Sequence, residues 1–70
     1  MWTAEKIKKL RKAYGETQEQ FRLRLGVKVV TIQRWEQGVG TPTGSARILL
    51  DRLLAERAEV VIAKMEGAAK

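Results

Sequence analysis

Between Thr17 and Gly38 the sequence has room for two short helices and almost nothing to join them. Thr17 offers a capping hydroxyl, and Gln20 three residues later completes a capping box, so a helix begins here. Phe21 and Leu25 make its inner face, and Gly26 supplies the sharp turn. A second helix then runs from about Lys28 to Gln37 and stops at Gly38. The connection Leu25-Gly26-Val27 is too short to let the two lie antiparallel. It forces them to cross.

The rest of the chain also reads as helix. From Thr3 to Ala13, with Tyr14 just beyond, the apolar residues Ile7, Leu10 and Tyr14 follow i, i+3, i+7 spacing. Lys6, Lys8, Lys9 and Lys12 occupy the other faces, Thr3 caps the start and Gly15 ends it. Thr41-Pro42 is expected to open a fourth helix, with proline at the first helical position. From Ser45 to Glu66 there is no Gly or Pro, so this stretch forms either one long helix or two bent near Glu56 to Glu59. Strand-like alternation, repeats and linkers are missing. The expected fold is all-α: one domain over residues 1–70, a compact bundle of four or five helices, with the crossed pair at about 17–37.

Composition narrows the function. The chain has no cysteine and no histidine, which removes disulfides, thiolate and imidazole zinc ligands and the commonest nucleophile–base pairs. No ligand cluster or phosphate loop is present, so neither an enzyme, a metal nor a cofactor is expected. Fourteen Lys and Arg against eight Asp and Glu give a net charge of +6, which favours a polyanionic partner. No apolar run approaches the roughly 18 residues of a membrane span, and Met1 to Lys6 lacks the apolar segment of a signal peptide. The expected location is the cytoplasm.

The helix from Lys28 to Gln37 has two unlike sides. Ile32 and Trp35 share one, and Val27 joins them from the turn; these are core residues. Val30, Gln33, Arg34 and Gln37 lie opposite, with Val29 lateral near the N-terminus. A solvent-facing valine gains nothing in water and is a mediocre helix former. Against DNA, Val30 would cover a thymine methyl and Arg34 would fork onto guanine O6 and N7. The alternative makes Val29 and Val30 lateral packing or dimer contacts.

The motif Thr17-Gln18-Glu19-Gln20-Phe21, Leu25-Gly26-Val27, Thr31-Ile32-Gln33-Arg34-Trp35-Glu36-Gln37-Gly38 and Pro42 resembles the Cro/repressor, or Xre-like, helix-turn-helix family. The resemblance covers about residues 5 to 55. Pro42 to Leu50 is more loosely similar to antitoxin-type members and their phage or plasmid relatives. The resemblance implies a role for each matching residue. Val29, Val30, Gln33 and Arg34 would read base edges, with Lys28 beside the groove on the backbone. Gln18, Thr31 and the loop from Gly38 to Thr43, including Thr41 and Thr43, would approach phosphates. Arg11 and Glu36 match positions that pair in the family, and an unpaired carboxylate beside the apolar face would be costly; otherwise Arg11 is an ordinary solvated charge. Arg22 departs from the pattern, because members usually have a small residue there. Either its stem lies along the helix contact and its head escapes toward a phosphate, or the helices cross more loosely.

Beyond Ala46 the sequence is too apolar for one face. Ala46, Leu49, Leu50, Leu53, Leu54 and Val61 form a stripe that closes the core, while Ile48, Ala55 and Ile62 repeat at sevens on the far side. Either the chain folds back over both stripes or the second one, within about 45–66, joins two copies. Together these features predict a sequence-specific regulator of transcription, a repressor that binds double-stranded DNA at an inverted repeat as a homodimer. The alternative is an antitoxin whose apolar stripe holds a toxin partner. An amphipathic membrane-surface helix fits poorly with the mixed charges, Asp51, Glu56, Glu59 and Glu66 among Arg52, Arg57 and Lys64.

Overall fold

Thr3 opens the first helix: its hydroxyl accepts a hydrogen bond from the Lys6 backbone N–H at 3.2 Å, and helix α1 runs over Ala4–Ala13. Tyr14 caps its end, and Gly15 turns the chain away with φ +68°. Thr17 starts α2 (Gln18–Leu25) with a complete capping box, its hydroxyl taking the Gln20 N–H at 3.2 Å while Gln20 Oε1 takes the Thr17 N–H at 2.9 Å. Gly26 closes it at φ +71°, the left-handed region that costs glycine nothing. After Val27 and Lys28, α3 (Val29–Glu36) begins, and α4 covers Gly44–Glu56. The computed structural model describes residues 1–58, and no strand occurs among them. The all-α bundle expected from the sequence is the fold, with four helices among the described residues.

Apolar side chains from all four helices meet in one core. Phe21, Ile7, Leu10, Ile32 and Leu50 are sealed from solvent, with Leu25, Trp35 and Leu53 around them. Burying side chains of this size contributes roughly 1.5–3 kcal/mol each, against the conformational entropy lost on folding. The core stripe predicted on α4 lies where expected: Leu50 and Leu53 are buried, and Ala46, Leu49 and Leu54 pack against them. Val61 lies outside the described residues. Val27 leans on the same core from the turn.

One feature corrects the sequence reading, and another bears on an alternative it left open. The fourth helix begins at Gly44 with Thr43 before it, so Pro42 is not its first residue and Thr41 is not its cap. Pro42 is buried, which holds the loop to the body, and the chain turns into the helix only at Gly44, whose φ is +58°. The stretch from Ser45 is not one continuous helix, because α4 stops at Glu56; its continuation beyond residue 58 lies outside the described residues. Arg57 leaves helical geometry at φ −121°, ψ 26°.

Trp2 belongs to no apolar stripe of the sequence, yet it is buried and donates its indole N–H to Asp51 Oδ1 at 2.7 Å. It precedes the cap of α1, and Ile7, the fourth helical residue, is buried in the same cluster. That is the hydrophobic-staple spacing, a signal the sequence did contain. Tyr14 makes a second tie to α4, donating to the Leu53 carbonyl at 3.0 Å. Arg24 and Arg57 stack over its ring at 4.4 and 4.6 Å from the centroid, joining α1, α2 and the end of α4.

Candidate nucleic-acid interface

Helix α3 divides as its periodicity requires. Ile32 is fully buried and Trp35 is 6% exposed, whereas Val30 is 48% exposed and Gln33, Arg34 and Gln37 face solvent. Val29 is half-buried, in keeping with its lateral position, and so is Thr31. Lys28 stands exposed before the helix; its carbonyl accepts the Thr31 N–H at 2.9 Å. Among the described residues, neither Lys28 nor Arg34 makes an ion pair. The first turn of α3 has no acidic residue. The outward face therefore offers two cations outside any ion pair, two amides and an apolar patch.

What holds that face in place is a carboxylate at the other end of the helix. Glu36 is 9% exposed. Arg11 from α1 donates to it through Nε at 2.7 Å and Nη2 at 3.0 Å, and Gln18 from α2 adds Nε2 at 3.1 Å. Arg11 also donates Nη1 to the Glu16 carbonyl at 2.9 Å. Burial alone would raise the Glu36 pKa. The bonds from Arg11 and Gln18, with the charges of Arg11 and Lys8, outweigh it and hold the carboxyl below its ordinary value. One buried charge thus fastens the ends of three helices.

The residues expected on phosphates are in three different situations. Lys28, Thr41 and Thr43 are exposed, and Thr31 is half-buried. The Gln18 amide is engaged by Glu36, which leaves one of its N–H bonds for another acceptor. Arg22 is half-buried, and its guanidinium bonds on the exposed side of α2. There it meets Glu19 rather than open solvent: Nε and Nη2 both donate to Oε2, at 3.0 and 2.8 Å. This pairing lowers the Glu19 pKa and raises that of Arg22. Arg24, the other arginine of α2, pairs with Glu16.

Beyond the outward face of α3, Val39 is 65% exposed in the loop between α3 and α4, where its backbone N–H bonds the Arg34 carbonyl at 2.9 Å. Sequence periodicity gave no means to assign it, because a lone valine between Gly38 and Gly40 belongs to no helical face. Leu23 on α2 and Ile48 on α4 are likewise exposed.

A family model described as helix-turn-helix matches residues 7–59. No curated protein and no solved structure matches the chain. The matched span begins in α1, includes the capping box, the Gly26 turn and the two-sided α3, and continues past α4. The chain belongs to the Cro/C1-type, Xre-like helix-turn-helix family and is a DNA-binding regulator of transcription.

Proposed function

We propose that this protein is a cytoplasmic repressor that reads an inverted-repeat operator as a homodimer. The observation that carries the reading is the composition of α3: Val30, Gln33 and Arg34 face outward while Ile32 and Trp35 anchor the opposite side. Val29, Val30, Gln33 and Arg34 meet base edges in the major groove. Gln18, Arg22, Lys28, Thr31, Thr41 and Thr43 hold phosphates, which fixes register without reading sequence.

The exposure of Ile48 and Ala55 on α4 supports a second copy as the partner of that face. Ile62, the third residue of the stripe, lies outside the described residues. Two-fold symmetry then places paired recognition helices about one DNA turn apart. Selection of bound duplexes from a random pool tests the reading. Enriched sequences with two inverted half-sites are the expected result. A single half-site, or no enrichment, overturns it, and co-purification of a small protein on the α4 face would reassign that surface to a toxin.

A further inference from the structure

The N-terminal half of the recognition face is apolar. Lys28 precedes α3, and the next two side chains are Val29, half-buried, and Val30, 48% exposed. A valine neither donates nor accepts a hydrogen bond. It cannot tell the O4 acceptor of thymine from the N4 donor of cytosine; it responds only to apolar surface. Cations flank it, with Lys28 before it and Arg34 one turn beyond, both outside any ion pair among the described residues. Charge of that sign carries the patch toward a duplex rather than toward an apolar protein surface.

The only apolar group that the base edges present in the major groove is a methyl on pyrimidine C5. Thymine carries it, and 5-methylcytosine carries the same group at the same ring position. We propose that Val30, supported laterally by Val29, recognises the C5-methyl group itself, so that cytosine methylation strengthens binding to a site. This rests on the DNA-reading role of α3 proposed above and adds a ligand: C5-methylated pyrimidine in duplex DNA. Modification of the DNA would then regulate occupancy without any effector binding the protein.

Two comparisons isolate the methyl group, because each leaves the hydrogen-bonding edge of the base pair unchanged. The first replaces thymine by uracil opposite adenine. The second replaces cytosine by 5-methylcytosine opposite guanine. The position to modify is the one in the selected site where Val30→Ala relaxes the preference for thymine. Fluorescence anisotropy at one salt concentration should show uracil binding about fourfold more weakly than thymine, the worth of one methylene-sized group leaving water. Methylcytosine should bind more tightly than cytosine by a similar factor, and Val30→Ala should erase both differences. Val30 is solvent-facing, so the variant should melt as the wild type does.

Equal binding of methylcytosine and cytosine overturns the inference, as does equal binding of uracil and thymine. Persistence of either difference in Val30→Ala assigns the methyl contact elsewhere and also overturns it. Failure of the random pool to yield any site is a separate outcome, which removes the proposed function along with this inference.

Discussion

Arg11 grips Glu36 through two nitrogens, and both side chains are largely removed from water, 14% and 4% exposed. In that setting the attraction is repaid mostly as the penalty avoided when neither charge is left alone. Arg11→Met would strand a carboxylate that keeps only its bond from Gln18. The expected loss is on the order of 3 kcal/mol in urea unfolding. Glu36→Gln leaves Arg11 its bond to the Glu16 carbonyl and some solvent, and should cost less. A double-mutant cycle with coupling indistinguishable from zero would remove the pair as a stabilising unit.

The same carboxylate sets an acid dependence. Its pKa is lower folded than unfolded, so its contribution is complete above the ordinary value of 4.5 and is lost as pH falls through the depressed one. Below about pH 4.5 the wild type should therefore lose stability more steeply than Glu36→Gln. Thermal melts from pH 2 to pH 7 compare the two slopes. Parallel curves would mean that Glu36 titrates alike in both states.

How far the sequence revealed this follows from the range of each interaction. The capping box, the Gly26 turn and the division of α3 are set by residues within a few positions of one another, and all are present as predicted. The Arg11–Glu36 pair spans 25 residues and became legible only through a family resemblance. Contacts across the fold had no such guide. The Trp2–Asp51 bond and the Tyr14 stack join the N-terminal third to α4, and periodicity says nothing about which residues meet there. The start of α4 is hidden for a similar reason, since Pro42 satisfies local rules for a first helical residue yet is buried in the loop before Gly44.

Glu19 occupies the Arg22 guanidinium that the proposed complex would place on a phosphate. Freeing it should add one phosphate contact. Glu19→Gln should bind random duplex more tightly and steepen the dependence of log K on log salt by about one unit. In an Arg22→Gln background the same change should leave the slope alone. A steeper slope there would trace the effect to general repulsion by Glu19.

Ile48 is 58% exposed in the middle of α4, where an apolar side chain gains nothing unless something covers it. If a second copy does, Ile48→Glu should shift sedimentation equilibrium at micromolar concentration from about twice the monomer mass toward monomer. The helix content should be unchanged, because the residue does not contribute to the core. A wild type that sediments as monomer with and without DNA would end the dimer proposal.

Arg34 and Lys28 are both exposed and unpaired among the described residues, yet they should fail in different ways. Arg34 projects from the middle of the outward face, one turn beyond Val30, where a guanidinium can reach the O6 and N7 of guanine. Lys28 stands before the helix, at the edge of that face, where a flexible ammonium meets phosphate as a point charge. Arg34→Ala should therefore weaken the selected site by roughly 1–3 kcal/mol and leave binding to random duplex nearly unchanged, so that discrimination falls. Lys28→Ala should weaken both duplexes alike and make the salt slope shallower by about one unit. Titrations of each variant against selected and random duplexes across a salt series separate the two. If Arg34→Ala lowers both affinities by the same factor, Arg34 is a phosphate contact. The reading face would then be confined to Val29, Val30 and Gln33.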